Sequence, residues 1–231
     1  MLLKILYICR INPIDMEVIN LGARNSILNK FVAQMRDKTV QKDSMRFRRN
    51  LERLGEIFAY EISQRLEHSP KEVVTPLGIA SIPTYDDKLV VASILRAGLP
   101  LHHGILNYFD DAQNAFIAAY RKYDKGEDFH INIEYCSTSE LTGKTLILAD
   151  TMLATGASLE LAYQRLCEEG EPLYTHIVCP VTSAYAVEYL QKHILIHLLG
   201  IFLTSDDTGY LPENHRAIEL KHTTLRLSIL P

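Results

Sequence analysis

TLILADTMLATGAS, residues 145–158, decides the reading of the fold. Its first half is a continuous apolar run closed by Asp150, the pattern of a strand covered on both faces, and its second half opens a helix through Thr155, Gly156, Ala157 and Ser158. Outward from it the same alternation recurs. Residues 88–95 (KLVVASIL), 115–120 (AFIAAY) and 174–181 read as further buried strands, and helical patterns at 99–109, 158–169 and 183–192 separate them. Near-continuous rather than alternating hydrophobicity favours parallel pairing, so the expected class is α/β, a doubly wound, mostly parallel sheet flanked by helices. Ahead of these, Phe47, Leu51, Leu54, Phe58, Ile62 and Leu66 recur every three or four positions and predict one long amphipathic helix over 46–66. INIEY at 131–135 alternates instead, which predicts an antiparallel ribbon forming a small hood or β-arm.

Composition narrows the function classes. The chain has 231 residues, 24 Lys plus Arg against 28 Asp plus Glu, and a net charge of −4, so no global field draws it to nucleic acid or anionic lipid. The run Lys38, Lys42, Arg46, Arg48, Arg49 and Arg53 reads as a solvated helix face, because Phe47 and Leu51 belong to a core and no stacking aromatics interleave the outer side. The longest late apolar run, 194–203, is about half the ~20 residues of a spanning helix, so no membrane partner is expected. Cys9, Cys136, Cys167 and Cys179 form no Cys-x-x-Cys pair, which favours a reducing, cytoplasmic compartment. Regular periodicity starts at Met16, and 1–15 stand apart as an N-terminal extension with no partner pattern and no export signal.

In a parallel sheet the chemistry sits in loops at the carboxyl ends of the strands. Gly156 lets backbone approach a ligand, Thr155 and Ser158 offer hydroxyls, and the free N–H groups at a helix start suit a phosphate. Asp150, at the strand tip, can accept from sugar hydroxyls. A plainer reading is a strand-to-helix turn with Ser158 as the N-cap. In ILRAGLP, 94–100, Arg96 and Gly98 follow a strand, and Tyr120 and Arg121 end another; two arginines and a glycine-threonine cradle at one sheet edge suit a polyphosphate. His102 and His103 read as helix-surface residues, and His193 and His197, spaced i, i+4, suggest no third metal ligand.

Together ILRAGL at 94–99, YR at 120–121 and DTMLATGAS at 150–158 resemble the uracil phosphoribosyltransferases, members of the type I phosphoribosyltransferase fold, with TPLG at 75–78 and MRD at 35–37 adding to the likeness. The resemblance spans about 16–192, with Thr151 where the family carries proline and Ala157 where it carries a second glycine. It implies transfer of a phosphoribosyl group from 5-phosphoribosyl 1-diphosphate to uracil, giving UMP and diphosphate. It implies Asp150 and Arg121 as catalytic residues, and a substrate site made of Arg96, Ala97, Gly98, Arg121, Asp150, Thr151, Met152, Leu153, Ala154, Thr155, Gly156, Ala157 and Ser158. Mg2+ is expected through the diphosphate, with no protein metal site, and a homo-oligomer is implied.

After Lys192 the chain departs from the family pattern. No glycine follows Gly209, so the residues beyond it cannot form the family's glycine-rich uracil loop, and 193–231 are set apart as a divergent tail. Three readings stay open at this level: a uracil phosphoribosyltransferase, a phosphoribosyltransferase for another base, and a non-catalytic or regulatory ribose-phosphate-binding homologue.

Overall fold

A computed structural model of the chain describes residues 18–123, 129–194 and 197–203. The extension 1–15 and the end of the tail lie outside them. The chain opens with a short strand β1 (Val18–Asn20) and helix α1 (Ile27–Arg36), which Ser26 caps by accepting from Leu28 N. Helix α2 (Ser44–Ser63) follows, begun by Asp43, whose carboxylate accepts from Arg46 N. Its buried stripe of Phe47, Leu51, Leu54, Phe58 and Ile62 is the predicted one, two residues earlier at its start.

A hairpin of β2 (His68–Thr75) and β3 (Gly78–Tyr85) comes next, antiparallel and turned at 75–78. Its burial is almost entirely exposed, so neither strand has the hydrophobic alternation or buried run by which strands are read, and neither was expected. The main sheet then builds through β4 (Leu89–Leu95), α3 (Leu99–Leu106), β5 (Gln113–Tyr123), β6 (Phe129–Ser137), β7 (Thr145–Ala149), the two-residue β8 (Met152–Leu153), α4 (Ala157–Cys167), β9 (Tyr174–Ser183), α5 (Ala184–His193) and β10 (His197–Leu203). Its order is β1-β10-β9-β7-β4-β5-β6, with β8 paired to β9. Every pair is parallel except β5 with β6, the antiparallel arm that INIEY predicted.

Alternate residues of the central strands feed two cores. Leu89, Val91, Ile147 and Ala149 face α1, α2 and α3, while Val90, Ala92, Leu146 and Leu148 face Leu159, Ala162 and Leu166 of α4 and Ala186 and Leu190 of α5. This is the doubly wound arrangement. One expectation needs correction. His102 is fully buried, its Nε2 2.7 Å from Asn114 Oδ1, whereas His103 alone of the pair is on the surface. His193 ends α5 and His197 opens β10, so no helix carries both. Within the segment set apart as 193–231, His197–Leu203 form β10, between β9 and β1 in a parallel register with both.

Candidate active site

The sheet changes direction between β4 and β7. From β4 the chain crosses through α3 to β5 on one side, and from β7 it crosses through α4 to β9 on the other, with the two helices on opposite faces. A crevice therefore opens at the carboxyl ends of β4 and β7, the place where open α/β sheets bind ligands. The loops singled out in the sequence, 96–98 and 150–156, both leave the sheet here.

Gly98 lets the first of these loops lie close against the tip of β7. It caps α3, and a Cβ at this position would lie 2.9 Å from Ile94 O, 3.2 Å from Ala149 O and against Ser93 Oγ. Only a residue without a side chain lets the loop settle onto the tip of β7. Arg96 is exposed beside it, Ala97 is partly buried, and the Leu95–Arg96 peptide is cis. Arg121 reaches the site by another route. The last β4 partner of β5 is Ala118, opposite Leu95, and Arg121 lies three residues on, paired with Ile131 in the arm. At ~3.3 Å per residue its backbone stands about 10 Å beyond the end of β4, above the crevice rather than at the strand tip.

Asp150 emerges from a strand without exposed residues, its own N–H bonded to Val178 O at 3.1 Å. Its Oδ1 accepts from Thr151 N at 2.7 Å. Burial pushes this carboxyl up to about 6, against the pull of the Thr151 and Met152 amides, which favour the charged form. Thr151 is buried, and Met152 and Leu153 form β8 against Val181 and Thr182. The Ala154 carbonyl accepts from Ser183 Oγ at 2.7 Å.

Gly156, at φ +84°, then turns the chain into α4, a left-handed conformation that a side chain would strain. It is the N-cap and makes no side-chain cap bond. Ser158 accordingly sits inside the first turn with Ala157, and the plainer reading of it as the cap does not hold. The N–H groups at the start of α4 are left for a ligand, with Thr155 partly exposed beside them. The arrangement offers a helix start and a carboxyl at one crevice, with Arg96 exposed on the adjoining loop.

Among the described residues no group of three or more His, Cys, Asp or Glu is placed to hold a metal ion. A lone carboxyl at the mouth fits an ion that arrives on phosphate oxygens and keeps most of its own ligands. The sequence reading did not single out Ser183 as a site residue; it ends a buried strand and opens the helical pattern at 183–192. That position is legible as an N-cap, but its bond to the 154 carbonyl is not.

The fold and this strand-end cradle define a phosphoribosyltransferase-type α/β protein. The uracil phosphoribosyltransferase family model matches residues 23–206, past the boundary expected at Lys192. A uracil phosphoribosyltransferase of Porphyromonas gingivalis is 50% identical over 200 residues, covering 85% of this chain and 93% of its own. One from Methanothermobacter thermautotrophicus is 34% identical over 73% of this chain and 79% of its own. Among solved structures, the AQ2163 protein from Aquifex aeolicus shares the fold with a TM-score of 0.72, at 24% identity over 81% of this chain and 88% of that one. The chain belongs to the uracil phosphoribosyltransferase family.

Proposed function

We propose that this protein transfers the phosphoribosyl group of 5-phosphoribosyl 1-diphosphate to uracil, forming UMP and diphosphate. The observation that carries the reading is that the 96–98 loop and the Asp150 to Gly156 loop leave the sheet side by side at the switch point, where the space beside Gly98 toward the tip of β7 is too small for a side chain. Breaking the bond at the anomeric carbon leaves cationic character on the sugar and negative charge on the departing diphosphate. Fixed charges and positioning therefore do most of the work.

Arg96, with the backbone of Ala97 and Gly98, holds the diphosphate, and Arg121 closes on it from the arm. Asp150 accepts from the ribose hydroxyls and orients the sugar. The 154–158 segment, flanked by Thr151, Met152 and Leu153, grips the 5-phosphate through the first N–H groups of α4, so binding energy remote from the reacting carbon keeps that carbon in place. Mg2+ brought in with the diphosphate substrate would supply further charge neutralisation of the leaving group, and Asp150 is the carboxylate this site would offer it.

The compartment proposed is the cytoplasm, supported by Cys136, Cys167 and Cys179 all being free thiols. No helix among the described residues is long and apolar enough to cross a membrane. A homo-oligomer is proposed from the β2–β3 hairpin, where Val74, Leu77 and Ile79 are exposed together.

The test is steady-state turnover with uracil, cytosine and purine bases. UMP formation that requires both 5-phosphoribosyl 1-diphosphate and uracil supports the reading; turnover of another base alone, or saturable binding of the diphosphate substrate without product, overturns it. Arg121→Ala should raise the KM for the diphosphate substrate by roughly tenfold or more, since charge-assisted contacts carry about 1.5–3 kcal/mol.

A further inference from the structure

We infer that Ser183 and Tyr189, on and just before α5, are positioning residues that set the grip on the 5-phosphate without touching it. The inference rests on the reading of 154–158 as the phosphate loop. Two contacts run from this helix and its cap to that loop, and a third to the first turn of α4 just beyond it. Ser183 Oγ donates to Ala154 O at 2.7 Å and accepts from Ala186 N at 3.0 Å, so one hydroxyl caps α5 and pins the loop. The ring of Tyr189 covers Gly156 so closely that a Cβ there would lie 3.0 Å from its Cδ1 and 3.2 Å from Leu190 Cγ. Tyr189 OH also donates to Glu160 Oε2 at 2.5 Å.

Each contact acts on a different part of the cradle. The Ser183 bond fixes the carbonyl two residues before Gly156. The Tyr189 ring closes the far side of the left-handed turn. Its hydroxyl, with Gln164 Nε2 at 3.3 Å from Glu160 Oε1, fixes the one acidic side chain in the first turn of α4. That charge matters, because a carboxylate free to swing over the helix start would compete with a phosphate for the same partial positive charge. His193 stacks on Tyr189 at 4.1 Å between centroids and holds the ring from the other end of the helix. None of these residues reaches the 96–98 loop, so α5 should govern the phosphate half of the site and leave the diphosphate half alone.

The experiment compares Ser183→Gly, Ser183→Thr, Tyr189→Phe and Thr155→Ala in the full chain. Glycine is a tolerable N-cap, so Ser183→Gly removes the bond to Ala154 at little cost to α5. Tyr189→Phe keeps the ring on Gly156 and removes the hydroxyl. Expected are a rise of about fivefold in the KM for 5-phosphoribosyl 1-diphosphate and in the inhibition constant of UMP for each, the effect of one lost hydrogen bond. The kcat and the inhibition constant of diphosphate should stay put, and Ser183→Thr should keep wild-type values.

Equal weakening toward UMP and diphosphate, accompanied by a fall in Tm, would mean a merely structural role and overturn the inference. If Thr155→Ala weakens UMP binding while Ser183→Gly and Tyr189→Phe do not, the phosphate-loop reading stands and the inference fails. If Thr155→Ala has no effect, the phosphate-loop reading itself fails and takes the inference with it.

Discussion

Asp150 shows how a single residue can be costly to the fold and necessary to the site. Its carboxyl ordinarily titrates at 3.8, and burial at the tip of β7 raises it to about 6. Below the ordinary value both folded and unfolded chains hold the proton. As pH rises through the folded value the native state must ionise a buried group, so the stability contributed by the neutral form is lost. Asp150→Asn should therefore stabilise the free protein near pH 7.5, by an amount of order 1–3 kcal/mol, and the gain should vanish below about pH 4. Thermal melts at the two pH values check this, and an equal change in Tm at both would rule it out. Activity should run the opposite way. A neutral acid is a poorer acceptor for ribose hydroxyls, so the KM for the diphosphate substrate should rise as pH falls through 6.

Among elements, the decisive fit is α2 against α3, since α3 begins where the 96–98 loop ends. Gly104 of α3 and Gly55 of α2 bring the helices to backbone contact: a Cβ on Gly104 would run into the Glu52 carbonyl, and one on Gly55 into the Leu101 carbonyl. Gly104→Ala must push the helices apart along the core that holds Leu54, Phe58, Leu101 and Ile105. A loss of about 1–3 kcal/mol is expected, read as a lower urea midpoint at unchanged slope. The basic run on α2 is also settled by its neighbours. Arg46 pairs with Asp43, Arg49 with Glu52 at 2.6 Å, and Arg53 lies 5.1 Å over the Phe31 ring, so three of the run's four cations on α2 are engaged within the chain.

For the whole molecule the β2–β3 hairpin is the feature without a home. Leu77 is fully exposed at its turn, and Val74 and Ile79 are 85% and 71% exposed beside it. An isolated two-stranded ribbon is marginal in water, and an apolar one invites a partner. Val74→Lys with Leu77→Asp should lower the mass measured by analytical ultracentrifugation toward the 26.3 kDa of one chain, with the circular dichroism spectrum unchanged. A mass unaffected by both substitutions would place the oligomer interface elsewhere.

The sequence by itself determined the class of fold and which loops meet at its switch point. Strands β4, β7 and β9 are buried on both faces, and such strands must be written as unbroken apolar runs, which is why 88–95, 144–150 and 174–181 could be read directly. Gly156 and Gly98 were legible for a related reason, since strained or crowded backbone admits little else. The tertiary structure decided what depended on partners distant in the chain. The hairpin carries no hydrophobic period because it buries almost nothing, and β10 became a strand only because β9 and β1 flank it. His102 turned inward because Asn114 waits for it across the sheet. The bonds from Ser183 to Ala154 and from Tyr189 to Glu160 likewise join residues about thirty apart, through hydroxyls whose partners no local pattern records.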